Sequence, residues 1–177
     1  PGLTWIVGDE GCGKTTLLRL LVGELKPSAG SIGFHPGEPS ARAVDDAPSP
    51  VFRPDARDEA LDEFTPNACW ARWAERHGGF SAEAVAELVE DFALKPHLDK
   101  ELFRLSTGSR RKVGLLAAFA SAAPVTLLEE PFGALDKPSA MAVAECLQAA
   151  AGHLSRAWIV ATYEARPELG GQVLRLG

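Results

Sequence analysis

The sequence predicts an α/β chain, a mainly parallel sheet flanked by helices with a small helical subdomain. Three observations carry this. Residues 3–7, 125–128 and 157–161 are short apolar runs of strand length, rich in β-branched and aromatic side chains. Helix-like stretches separate them, as crossover connections between parallel strands require. The 177 residues are enough for one domain with a proper core, and no internal repeat interrupts them.

Taken in order, residues 3–7 (LTWIV) read as the first buried strand. The next eight, Gly8-Asp9-Glu10-Gly11-Cys12-Gly13-Lys14-Thr15, fit G-x-x-x-x-G-K-[ST], and Thr16 opens a helix. Glycines at these positions let backbone amides turn toward phosphate oxygens, and the helix N-terminus adds its positive dipole end. Lys14 is placed to reach the β- and γ-phosphates, and the Thr15 hydroxyl to meet a magnesium ion. Residues 8–16 are therefore the candidate nucleoside-triphosphate site. The alternative, a glycine-rich connection with no ligand, leaves the lysine and threonine without a reason.

Residues 23–32 read as a turn leading into a short strand, and residues 36–50 (PGEPSARAVDDAPSP) as a mobile loop. Val51 and Phe52 form a brief strand. From residue 65 to about 105 the pattern is helical, with Ser81 capping a helix over 82–92. Further helices are expected over 109–121 and 139–151. Between and after them come strands at 125–128, 157–161 and 173–176. The domain is single, 1–177, with a core of about 1–64 and 106–177 and a helical insert of about 65–105.

Composition narrows the function. Hydrophobic residues make up 46% of the chain and charged residues 24%, which is ordinary for a soluble protein. A net charge of −6 argues against a broad nucleic-acid surface, so no nucleic-acid partner is expected. Cys12, Cys69 and Cys146 are too few and too scattered for a disulfide framework or a zinc site, which points to reduced thiols. The longest apolar candidate, 113–128, is broken by Ser121, Pro124 and Thr126 and reads as a helix and a strand rather than a membrane span. No signal peptide opens the chain. It begins at Pro1 almost directly on the first strand, and the expectation is that a native N-terminal segment is missing.

Three later stretches single out one family. Leu105-Ser106-Thr107-Gly108-Ser109-Arg110-Arg111-Lys112-Val113 resembles the L-S-G-G-Q signature of ATP-binding-cassette (ABC) domains. Val125-Thr126-Leu127-Leu128-Glu129-Glu130-Pro131 resembles the Walker B strand, and Phe132-Gly133-Ala134-Leu135-Asp136 its D-loop. Their order and spacing are the family's, from Gly8 to about Tyr163. Within it, residues 131–137 and 64–78 are most similar to the small haem-exporter ATP-binding subunit of cytochrome c maturation.

The resemblance implies a P-loop NTPase fold binding ATP and Mg2+. It implies Glu130 as the base that polarises the attacking water, and Thr15 and Glu129 around the metal. Two cassettes face head to tail, and Ser106 and Gly108 offer a hydroxyl and an amide to the γ-phosphate held by the other. Arg110, Arg111 and Lys112 then lie near that interface or at its surface. The implied partners are a second cassette and a membrane permease, and the implied place is the cytoplasmic, inner face of the cell membrane.

The departures matter as much. Glu129 stands where the family has aspartate, one methylene longer toward an ion that demands near-octahedral geometry. Tyr163 stands at the switch-histidine position, with a hydroxyl to donate but no positive charge. The Q-loop glutamine is missing, and Arg53 or Asp55 occupies its neighbourhood. Thr107 and Ser109 alter the signature.

Three functions are compatible with this pattern. One is an ATPase that drives a permease, with Glu130 and Tyr163 as catalytic residues. The second is a degenerate, non-hydrolysing cassette partnering an intact one. The third is a small kinase, for which the signature and D-loop would be coincidences. Family precedent tips the reading toward the ATPase.

Overall fold

The computed structural model describes residues 1–33, 50–77 and 79–177. Five parallel strands form one sheet: β1 (Gly2–Val7), β2 (Val51–Phe52), β3 (Val125–Glu129), β4 (Ala157–Thr162) and β5 (Gln172–Arg175), ordered β2-β3-β4-β1-β5. Among the described residues five α-helices accompany them: α1 (Lys14–Leu21), α2 (Pro66–Arg76), α3 (Ala82–Asp91), α4 (Thr107–Ala120) and α5 (Lys137–Ala151).

Alternation along the strands divides the interior into two layers. Ile6 and Leu127 face one side, where Leu18 of α1 packs against them with Val51 and Ala161. Trp5, Val7, Leu128 and Val160 face the other, against Leu116 of α4 and Val143 and Leu147 of α5. Strands covered on both faces read as near-continuous apolar runs, which is why the sequence shows them so clearly.

Side-chain caps fix the helix starts. Thr65 accepts from the Ala68 amide at 3.3 Å, Ser81 from Ala84 at 3.2 Å, Ser106 from Ser109 at 3.1 Å and Asp136 from Ser139 at 2.9 Å. The last two caps begin α4 and α5 two residues earlier than the apolar pattern suggested. The helical stretch from residue 65 divides into α2, α3 and short 3-10 turns at Lys95–His97 and Leu102–Arg104. Its two ends close on each other, since the Leu102 amide donates to the Phe64 carbonyl at 2.9 Å and the Phe103 amide to Asp62 at 3.1 Å. Trp70 ties the segment to α4 by donating to the Val113 carbonyl at 3.0 Å.

Residues 31–33 are irregular and exposed, with Ile32 among them, and the rest of the strand expected after this turn lies outside the described residues. The loop expected over 36–50 lies outside the described residues except for Pro50. The final strand sits one position earlier than expected, with β5 exposed at the sheet edge.

Leu116 is fully buried between the sheet and the insert helices. Leu116→Ala is expected to lower unfolding free energy by about 2–5 kcal/mol. Urea denaturation measures it, with nucleotide binding of the folded fraction unchanged.

Candidate nucleotide site

The parallel register brings the functional residues together. Val7 pairs with Thr162, and Glu129 with Ala161, so β1, β3 and β4 end level with one another. The residues just beyond these ends, Gly8, Glu130 and Tyr163, therefore share one edge of the sheet. An open cleft there is lined by Glu10, Gly11, Gly13, Lys14, Thr15, Thr16, Glu129, Glu130 and Tyr163.

Two features shape the loop. A Cβ on Gly8 would fall 2.5 Å from the Cys12 sulfur and 2.7 Å from the Leu176 carbonyl oxygen, so only glycine fits between β1 and the loop it starts. Gly13, at φ 100°, takes a left-handed conformation to turn the chain into α1. It offers no side chain to cap the helix, which leaves the first amides of α1 for a ligand. Lys14 is buried, and its ammonium donates to the carbonyls of Gly8 at 2.6 Å and Asp9 at 2.9 Å. The Tyr163 ring covers it at 4.3 Å. That contact uses the aromatic face rather than the hydroxyl, a cation–π role the sequence did not suggest.

The acidic pair divides its work. Glu129 Oε1 accepts a close hydrogen bond from the Thr15 hydroxyl. A hydroxyl and a carboxylate side by side are the hard oxygen donors that magnesium takes, so the donor chemistry fits that ion. Glu130 has a left-handed backbone, φ 45°, a strain of about 1–3 kcal/mol for a non-glycine residue. Its Oε2 accepts from the Thr162 hydroxyl at 3.2 Å, while its Oε1 is buried without a donor. A carboxylate held through one oxygen at the cleft edge is the kind of group that can act as a proton acceptor.

Ser106 and Gly108 are elsewhere. With Thr107, Ser109, Lys112, Ala134 and Asp136 they line a separate surface at the start of α4. Within one chain they do not meet the phosphate loop. A Cβ on Gly108 would come 2.5 Å from the Ala134 carbonyl, so glycine lets the D-loop lie flat against the helix.

The basic trio also makes contacts within its own chain, and Lys112 lines the surface that holds Ser106 and Gly108. Arg110 pairs with Asp62 at 2.6 Å and donates to the Asp58 carbonyl at 3.0 Å. Arg111 donates to the Glu130 carbonyl, and Lys112 is buried, donating to the Phe92 carbonyl at 3.2 Å and to Asp136. Burial, with the nearby Arg57 charge, holds the Arg111 guanidinium below its usual range. Amphipathic packing of α4 against the core leaves long side chains only this way to reach polar partners.

Sequence reasoning placed Arg53 or Asp55 only in the neighbourhood of the absent Q-loop glutamine and missed Arg57. Arg53 Nη2 sits 3.0 Å from Glu129 Oε2, and Arg57 Nη2 sits 3.7 Å from the same oxygen. The signal existed: β2 pairs with β3, so a residue just after Phe52 lands beside the acidic end of β3.

A profile of the ABC transporter family matches residues 2–133. The cytochrome c biogenesis ATP-binding export protein CcmA of Pseudomonas syringae pv. syringae is 33% identical over 141 residues, 75% of this chain and 62% of that protein. The sulfate/thiosulfate import ATP-binding protein CysA of Pseudomonas aeruginosa is 37% identical over 139 residues, 76% of this chain. The chain thus spans 62% and 42% of the length of these two relatives. Among solved structures, an ATP-binding subunit of an ABC transporter superposes with TM-score 0.74 at 21% identity, over 92% of this chain and 68% of that one. That likeness is one of fold.

The hydrogen bond from Lys112, with that from the Ser139 amide, holds the Asp136 carboxyl far below the usual carboxylate range. A lowered folded-state pKa stabilises above the unfolded value, about 3.9, and that stabilisation is lost as pH falls below it. Asp136→Asn should therefore be less stable than wild type at pH 7. The gap should narrow below about pH 4, as urea midpoints at the two pH values would record.

Proposed function

The chain belongs to the ABC transporter family, and from that premise we propose that it is the ATP-binding subunit of such a transporter, hydrolysing ATP to drive a membrane permease. The observation that carries the reading is the meeting of Lys14, Thr15, Glu129 and Glu130 in one cleft, with Glu130 Oε1 free of any donor.

In this reading the loop amides of residues 8–16 and the Lys14 ammonium hold the β- and γ-phosphates. Magnesium, bound with the nucleotide near Thr15 and Glu129, supplies charge neutralisation for the phosphates. Glu130 orients a water and takes its proton as the oxygen attacks the γ-phosphorus. The bond to the β-phosphate oxygen breaks, and ADP and phosphate leave. Thr162 keeps Glu130 aimed by holding its other oxygen. Tyr163 lies close enough to the same cleft to donate one hydrogen bond once its ring releases Lys14.

Closure takes two cassettes. Ser106 and Gly108 lie on a surface apart from the phosphate loop, which supports a head-to-tail dimer in which each chain caps the other's nucleotide. Residues 65–105 form the helical insert that meets the permease at the cytoplasmic face. No helix among the described residues is long and apolar enough to cross a membrane. The transporter we propose is an exporter of the cytochrome c biogenesis type, on the likeness of residues 64–78 and 131–137 to that group.

Glu130→Gln is expected to lower steady-state ATP hydrolysis by ~10²-fold or more while leaving ATP affinity unchanged. Lys14→Ala should instead remove binding. Turnover that survives Glu130→Gln unchanged would take Glu130 out of this role and favour the non-hydrolysing cassette.

A further inference from the structure

Lys14 is only 8% exposed, in a cleft whose other lining residues carry no positive charge. An ammonium has three N–H donors and accepts nothing. Two of these donors go to the loop itself, to the Gly8 carbonyl at 2.6 Å and the Asp9 carbonyl at 2.9 Å. The Tyr163 ring lies over the same nitrogen, its centre 4.3 Å away. With two donors taken by carbonyls, the aromatic face is what steadies the remaining side of the charge.

The three partners differ in how readily they yield. Both carbonyls belong to the backbone of the loop, which is packed at Gly8 against the Cys12 sulfur and the Leu176 carbonyl. Tyr163 stands just beyond the end of β4 and is 53% exposed, so its ring can turn into solvent. A carbonyl hydrogen bond to a charged donor is also the stronger contact, about 1.5–3 kcal/mol against about 0.5–1 kcal/mol for an exposed cation–π pair. A phosphate oxygen that reaches Lys14 therefore replaces the ring first.

Resting on the ATP-binding reading above, we propose that the Tyr163 ring competes with the nucleotide phosphate for the Lys14 ammonium, which makes Tyr163 a determinant of nucleotide affinity. The ring matches the charge in the ligand-free chain, and binding gives that contact up. A side chain that merely filled the cleft mouth would give up nothing that depends on an aromatic face. The Tyr163 hydroxyl is a separate matter, since it can turn to the phosphate only after the ring has left Lys14.

The test compares Tyr163→Phe with Tyr163→Leu. Both lack the hydroxyl and keep an apolar side chain, so their difference isolates the ring face. Each purified variant is titrated in magnesium with mant-AMP-PNP, an analogue that resists hydrolysis. Tyr163→Leu should bind more tightly than Tyr163→Phe by about two- to fivefold. A gain below twofold, or weaker binding, overturns the proposal. A second readout follows the ring itself. The chain holds a single tyrosine, so 13C-tyrosine labelling gives NMR signals from this ring alone. Saturating nucleotide should move them in wild type, and Lys14→Met should move them in the ligand-free chain. Signals that stay in place in either case overturn the proposal, and they decide it should Tyr163→Leu not fold. Wild type that binds no mant-AMP-PNP would instead overturn the nucleotide reading itself, an outcome kept apart by the ligand-free comparison with Lys14→Met.

Discussion

Five parallel strands that end on one edge are the constraint on which the site depends. Crossover connections force every strand to run the same way, so every strand's C-terminal end opens on the same side. The pairing of Val7 with Thr162 and of Glu129 with Ala161 then brings the phosphate loop, the acidic pair and Tyr163 level. No side-chain interaction could gather residues separated by more than a hundred positions without that register. Burial of Trp5, Leu127, Leu128 and Val160 holds the register, because a one-residue slip would turn these side chains to the wrong layer.

The phosphate loop was legible because its chemistry is local. Gly8 through Thr16 are contiguous, so the motif is read from one uninterrupted stretch. The strands were legible because both faces are covered. The edges of elements were less so: Ser106 and Asp136 look like loop residues to an apolar count, yet as caps they start α4 and α5 early. The Arg53–Glu129 pair could be found only from the order β2-β3, which no local pattern records. The inward contacts of Arg110, Arg111 and Lys112 were hidden for the same reason, since they reach Asp62, the Glu130 carbonyl and Asp136 across the fold.

Those inward arginine and lysine contacts connect the two surfaces of the chain. Lys112 clasps the D-loop at Asp136, and Arg111 from the same helix holds the carbonyl of Glu130. The helix that begins at Ser106 therefore touches both the surface that would cap a neighbour's nucleotide and the residue proposed as this chain's base. The left-handed backbone of Glu130 is held by its amide to Ala161 at 2.9 Å and by Gly133 bonding its carbonyl at 3.0 Å. Strain at such a residue persists only where its surroundings over-determine it, and here three separate elements do so.

The balance of charge in the cleft gives the departures a common sense. A tyrosine at 163 carries a neutral hydroxyl, while Arg53 and Arg57 pair with Glu129 from the segment after β2. Lys14 in the meantime is satisfied by two carbonyls and an aromatic face. Phosphate entering the loop must exchange those contacts for its own, so the affinity gained is the difference between two well-paired states of one ammonium. A buried Lys14 without those contacts would leave a desolvated, unpaired charge in the ligand-free chain. Pairing the lysine at rest keeps its buried charge matched in the ligand-free chain.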